Sequence, residues 1–332
     1  MFSLLFLIQV FNQGNQTYII NDEGEDYVVH VFSSVGTHQF LRNGYISSVD
    51  VLVVAGGGGG GNSAAGDSDP GGGGAGGLVF RNNYPIEASS LTVIVGKGGN
   101  IHENGYDSKF GSISALGGGY GGSDAKGSLG NGGNGGSGGG GGPDTRPGGE
   151  ALQPSHQSGG YGNRGGNGHG FGEGGGGGGA GFPGQNASQS GGSVNKPGDG
   201  GDGLCQIEIN SRVYSFQRMF GNVGHIIGNQ SWFAGGGSGG GEAGSPALTG
   251  KGGGGQGGWG DGSQTPAGQF GQAGTPNTGG GGGGANNKNG GAGGSGIVVI
   301  RYPKRLSEPT KRTSLLGNRS LHIYILSTLL TL

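Results

Sequence analysis

The chain has 332 residues, of which 96 are glycine and 11% are charged, and its formal net charge is −2. Charges so few and so scattered do not form the basic surface that a nucleic-acid partner requires. The single cysteine, Cys205, cannot form an internal disulfide, which excludes a disulfide-stapled scaffold. We therefore expect a small apolar framework that carries a glycine-rich remainder.

The chain opens with an apolar segment, residues 1–20, that resembles the hydrophobic part of a secretory signal peptide. No basic residue precedes its apolar run and no Ala-x-Ala-like site follows, so a fragmentary N-terminus or an upstream strand is the alternative. The run is too short to span a membrane as a helix.

Stretches rich in valine and aromatic residues predict the first strands. Residues 27–32 and 37–41 flank a glycine-containing turn, which predicts a hairpin. Residues 46–54 form the next predicted strand, and both of its faces become apolar towards the glycines that follow.

Further strands are predicted where apolar residues interrupt the glycines. Residues 204–220 favour a hairpin around Asn210 and Ser211, and Ile-Val-Val-Ile within residues 296–302 suits a buried strand. The other predicted strands are residues 78–81, 90–95 and 109–116.

Between residues 56 and 296 the chain is dominated by glycine. Glycine disfavours an α-helix by roughly 1 kcal/mol per residue relative to alanine, and it packs poorly in strands. Collagen requires a strict Gly-X-Y period, which runs such as residues 174–179 and 279–284 break. A flexible linker and a packed bundle of polyglycine II helices remain possible. We favour the bundle, because a linker would not need the apolar interruptions.

These patterns predict a mainly β fold with little or no α-helix. A small antiparallel β-sandwich, of jelly-roll or TNF-like type, carries the bundle of polyglycine II helices. We expect residues 27–303 to form this domain and residues 304–332 to be a poorly ordered tail.

No motif indicates catalysis, a metal or a cofactor. The glycines after residue 55 satisfy a dinucleotide-binding pattern, but no helix-forming sequence follows them. The histidines show no zinc spacing. Asp199 and Asp202 hint at a calcium-binding repeat that does not recur. Cys205 reads as a buried apolar residue rather than as a nucleophile. We expect a protein that is not an enzyme and that binds no cofactor.

Aromatic residues in polar, glycine-rich loops are the positive functional signal. They are candidate receptor contacts, because exposed aromatic loops on a rigid scaffold often form recognition surfaces; alternatively, they cap the glycine helices. These residues are Tyr120, Tyr161, Phe171, Phe182, Trp259 and Phe270. Four glycosylation sequons also occur, at Asn15, Asn186, Asn229 and Asn318.

Several framework motifs occur in a specific order. Ser48-Val-Asp-Val-Leu-Val-Val runs into glycines, Leu91-Thr-Val-Ile-Val-Gly-Lys-Gly-Gly follows, and Gly294-Ser-Gly-Ile-Val-Val-Ile-Arg-Tyr-Pro closes the series. This succession resembles the glycine-rich domain of phage tail-fibre and adhesin proteins. Residues 207–227 are more elaborate than that resemblance implies. A weaker likeness links the chain to the TNF-like, glycine-rich extracellular region of the anaplastic lymphoma kinase family.

The resemblance implies a β framework with polyglycine II helices, whose loops in tip adhesins bind host surface receptors. We therefore predict a non-enzymatic recognition module of a virion or a cell surface, with a host receptor or glycan as partner. The alternative is a structural extracellular spacer or matrix protein without a specific ligand. Nothing in the sequence sets the oligomeric state.

Overall fold

The structure is a computed structural model. It describes residues 14–42, 46–63, 69–124, 127–170, 172–190, 194–241, 246–259, 270–286 and 288–304. The apolar run before residue 14 and the tail after residue 304, on which two predictions fall, lie outside these residues. The chain is mainly β, with one short α-helix and no bundle of α-helices among the described residues.

Two antiparallel sheets form the framework. Their strands are β1 Gln16–Asp22, β2 Glu25–Phe32, β3 Gly36–Leu41, β4 Ser48–Val54, β5 Leu78–Pro85, β6 Ser90–Val95, β7 Ser108–Phe110, β8 Ile113–Ala115 and β15 Ile297–Pro303. The first sheet has the strand order β1-β2-β15-β4-β5 and the second has the order β3-β6-β7-β8. The predicted strands at residues 46–54, 90–95 and 296–302 are confirmed.

The predicted hairpin between residues 27–32 and 37–41 is wrong. β2 pairs with β1 and β15, whereas β3 crosses to the second sheet and pairs with β6. The crossing places Phe40 between the sheets, where its ring centroid lies 5.9 Å from that of Phe110. The single strand predicted at residues 109–116 is a hairpin of two strands, because Gly111 (φ +56°) turns the chain between β7 and β8.

The first sheet is buried on both faces, which explains why both faces of β4 are apolar. Val51 and Val53 point into the core between the two sheets, together with Phe40 and Phe110. Leu52 and Val54 point into a second core on the opposite face.

An inserted segment covers that second core. It contains the hairpin β11 (Gln206–Ile209) and β12 (Arg212–Ser215), helix α1 (Phe216–Phe220), and the hairpin β13 (His225–Ile227) and β14 (Gln230–Trp232). The predicted turn at Asn210 and Ser211 is confirmed, and both residues have positive φ. The buried rings of Phe216, Phe220 and Phe233 pack on the first sheet. A further short hairpin, β9 (Ser188–Ser190) and β10 (Val194–Lys196), lies outside both sheets.

A buried ion-pair network joins the insertion to the first sheet. Arg301 on β15 donates from Nη1 to Asp22 Oδ2 at 2.7 Å and from Nε to Asp50 Oδ2 at 2.9 Å. Arg218 of α1 approaches the other oxygen of Asp22 at 3.1 Å. Arg301 is 4% exposed, so the network compensates a charge that would be costly to bury alone.

The glycine segments form a hydrogen-bonded lattice with a period of three residues. In residues 56–61 the N–H groups donate in turn to three different segments, at residues 103–106, 291–294 and 71–74. The carbonyl groups accept from three more, at residues 99–102, 118–121 and 282. Three residues per turn is the repeat of the polyproline II helix, so this segment is one such helix with six neighbours.

Only glycine fits where these helices touch. A Cβ added to Gly58 would lie 2.1 Å from the carbonyl oxygen of Gly119, far inside contact distance. The backbones therefore meet without intervening side chains.

We predict that Gly58→Ala destabilises the fold by at least about 2 kcal/mol, because neighbouring backbone must move to admit the methyl group. Gly170→Ala is the matched control: its added Cβ would meet only the Thr145 methyl group, at 3.7 Å. Urea unfolding of both variants measures the difference. Equal stabilities would show that the lattice is not tightly packed at Gly58.

We also predict slow amide hydrogen exchange across residues 174–179 and 279–284. Each N–H in these runs has an acceptor in the structure. Exchange in β4 provides the protected reference, and the exposed turn at Gly228 and Asn229 provides the fast one. Exchange in the glycine runs as fast as in that turn would instead indicate a flexible tether.

Candidate recognition groove

At the surface of the lattice the three-residue pattern of donors is incomplete. In residues 198–203, Gly198 and Gly201 donate to residues 174 and 177, and Gly200 and Gly203 donate to residues 248 and 251. In a helix with three residues per turn, the N–H groups of Asp199 and Asp202 point in a third direction, away from both of these segments. Among the described residues these two groups have no acceptor.

The side chains of the same two aspartates accept hydrogen bonds from the backbone of the neighbouring segment, residues 248–251. Asp199 Oδ1 accepts the backbone N–H of Leu248 at 2.7 Å, and Asp202 Oδ1 accepts that of Lys251 at 2.8 Å. The three-residue spacing of Asp199 and Asp202, which hinted at a calcium site, thus places both carboxylates on one face of the helix. Each carboxylate there accepts a backbone N–H group that has no backbone acceptor among the residues that the structure describes. No cluster of three or more potential metal ligands occurs in the described part of the chain.

Two lysines balance these carboxylates. Lys196 Nζ lies 2.9 Å from Asp199 Oδ2, and Lys251 Nζ lies 3.3 Å from Asp202 Oδ2. All four side chains remain partly exposed, so each pair contributes at most about 1 kcal/mol to stability. Their main consequence is that the surface carries no net charge here.

These residues line a groove of about 810 Å³. Phe182 and Leu248, which are 64% and 70% exposed, also line it, together with the exposed Pro183. The groove thus combines large apolar side chains with carboxylate, ammonium and amide groups on a hydrogen-bonded backbone.

A second, smaller depression of about 490 Å³ lies beside the second sheet. Val35, Ile94 and Tyr106 line it, and Lys97 Nζ lies 4.5 Å from the centroid of the Tyr106 ring. It is more apolar but holds none of the aromatic residues predicted as contacts.

The structure divides the predicted aromatic contacts into two groups. Tyr120 and Tyr161 are half-buried: the Tyr120 ring centroid lies 4.4 Å from that of His102, and Tyr161 exchanges backbone hydrogen bonds with Leu78. These two rings cover the lattice and the second core. Phe182, Trp259 and Phe270 are exposed, but of these only Phe182 lines the groove. Phe171 lies outside the described residues.

Leu248, Lys196 and Lys251 are groove residues that the sequence interpretation missed. The available signal was the spacing of Asp199 and Asp202, since a repeat of three places two side chains on one face of this helix. No local pattern indicated that residues 248–251 lie beside them.

Cys205 is 9% exposed, and burial raises the pKa of its thiol. The thiolate is the reactive form, so the raised pKa reduces the reactive fraction at neutral pH.

None of the helices in the described part of the chain has the length and hydrophobicity that a membrane span requires.

We predict that native Cys205 reacts with iodoacetamide at pH 8 at least about ten-fold more slowly than after unfolding in guanidinium, since access and thiolate fraction are both reduced. The native rate should still be rising above pH 9, where the unfolded thiol approaches its plateau. Mass spectrometry of this single cysteine gives both rates. Equal native and unfolded rates would contradict the burial.

The fold defines a protein class: an antiparallel β-sandwich whose connections form a lattice of glycine helices. The model of the family described as "Glycine-rich domain" matches residues 33–303. The chain therefore belongs to this glycine-rich domain family. A comparison with curated proteins found no match.

Proposed function

We propose that this protein is a non-enzymatic recognition module of a virion or a cell surface, and that the groove beside Phe182 binds its ligand, a host receptor or a surface glycan. The observation that carries the proposal is the exposure of Phe182 and Leu248 on opposite segments of one groove. Large exposed apolar residues in a concave setting are typical of interaction sites.

The scaffold suits this role because it holds the groove in place before binding. Residues 198–203 are hydrogen bonded to four other segments, so little backbone entropy remains to be lost when a ligand binds. The groove carboxylates contact backbone N–H groups and lysines, which serves the scaffold rather than proton transfer. The resemblance of the framework motifs to phage tail-fibre adhesins agrees with this role.

A structural spacer is the second candidate function. The half-buried positions of Tyr120 and Tyr161 favour it, because these rings shield the lattice from water rather than face a ligand. This alternative predicts that groove residues can be changed freely.

We predict that the double variant Phe182→Ser with Leu248→Ser binds intact cells or arrayed glycans at least about ten-fold more weakly than the wild type, because both apolar contacts are lost. Val213→Ser is the control, since Val213 is 45% exposed and lies on the inserted hairpin outside the groove. Circular dichroism verifies folding of both proteins. Absence of binding by the wild type would favour the spacer, and wild-type binding that the double variant retains in full would place the site outside the groove.

A further inference from the structure

The groove lies beside a glycine helix that has vacant neighbour positions in the described part of the chain. The interior helix at residues 56–61 exchanges hydrogen bonds with six segments. The helix at residues 198–203 exchanges them with four, at residues 174–177, 182–185, 236–239 and 248–251. Two lattice positions beside this helix are therefore not filled by the described residues.

A row of free donors faces one of these positions. The backbone N–H groups of Asp199 and Asp202 have no acceptor among the described residues, and both residues line the groove. They are one helical turn apart, about 9.3 Å at a rise of 3.1 Å per residue. A β-strand presents its outward carbonyls about every 6.8 Å and would not match this row, whereas another three-residue helix would.

The side chains around the row limit the chemistry of the ligand. Lys196 with Asp199 and Lys251 with Asp202 cancel in charge, so nothing here favours an acidic or a basic ligand. Phe182, Pro183 and Leu248 offer apolar surface to flat or cyclic side chains. Proline suits that surface, and its fixed φ preorganises the three-residue helix.

Where the ligand contacts the glycine helices, its residues need to be glycine. Throughout the interior, a Cβ at a lattice position would overlap the backbone of the next helix, as at Gly201, where it would lie 2.1 Å from the carbonyl oxygen of Phe182. A ligand that fills a lattice position therefore needs glycine where it faces residues 198–203.

We infer that the groove binds an uncharged, glycine- and proline-rich segment of a partner protein in the polyproline II conformation, which adds to the lattice as one more helix. Carbonyl oxygens of that segment accept the N–H groups of Asp199 and Asp202, and its prolines pack on Phe182 and Leu248. The mode parallels the addition of a peptide strand to a sheet edge. This inference rests on the proposed function and identifies the ligand as protein rather than glycan.

The first test is a titration of the isotope-labelled full chain with acetyl-(Pro-Pro-Gly)3-amide, followed by amide NMR. We expect the Asp199 and Asp202 amide signals to shift downfield and their hydrogen exchange to slow by about ten-fold or more, because both gain an acceptor. Maltoheptaose, a neutral oligosaccharide, is the rival ligand. Unchanged amides at high peptide concentration, or the same shifts with maltoheptaose alone, would overturn the inference.

The second test compares two variants of Asp202 that differ in whether the backbone N–H donor is present. Asp202→Ala and Asp202→Pro both lose the carboxylate, but only the proline variant loses the N–H. Proline is compatible with this helix, since Asp202 has no positive φ. The proline variant should bind the peptide about 3–10-fold more weakly than the alanine variant, as expected for one hydrogen bond. Equal affinities would contradict the inference. The pair Asp199→Ala and Asp199→Pro gives the same comparison if the first proline variant fails to fold.

Cell-binding data separate this inference from the proposed function. If the double variant of Phe182 and Leu248 loses cell binding but the peptide leaves both amides unchanged, the groove is a recognition site for another ligand and only the inference fails. If the peptide binds as expected but the double variant attaches to cells normally, the inference stands and the proposed surface role fails.

Discussion

The structure depends on helices that touch backbone to backbone and exchange hydrogen bonds, as in residues 56–61, where all six N–H groups donate to neighbouring segments. This arrangement buries little apolar surface, whereas ordering each residue costs roughly 1–2 kcal/mol of backbone entropy. The β-sandwich supplies the missing stabilisation and fixes the helix ends. Glycine segments leave β4 and β6, and others enter β5 and β15, so the strands determine where each helix begins in the lattice.

At the rim of the lattice, side-chain oxygens recurrently accept the backbone N–H groups of a neighbouring segment. Asn104 and Asp107 accept the backbone N–H groups of Tyr120 and Gly117 through their side-chain oxygens. Asp199 and Asp202 do the same for residues 248 and 251. In both cases the two acceptors are three residues apart, one turn of the helix. An Asn or Asp at this spacing therefore marks the outer face of a glycine helix in this fold.

Local patterns predicted much of the framework and little of the groove. β4, β15 and the turn at Asn210 follow from apolar periodicity and turn chemistry, which act over a few residues. The pairing of β2 with β15 does not, because it joins distant parts of the chain. Tyr161 and Phe182 look alike in sequence, each beside glycine, yet one is half-buried and the other exposed. Their exposure differs because different glycine helices lie beside them. Glycine runs of identical sequence have no side chains that would indicate from the sequence which helices become neighbours.

The position of β15 in the centre of the first sheet also orders events during synthesis. Arg301 meets Asp50 across a separation of 251 positions, and β2 and β4 have no direct pairing with each other. Ribosomes add about 5–20 residues per second, so these strands wait roughly 13–50 s for the one that joins them. During that interval the edges of β2 and β4 that pair with β15 are without their final partner. Self-association at these edges can therefore compete with folding until residue 297 has been synthesised.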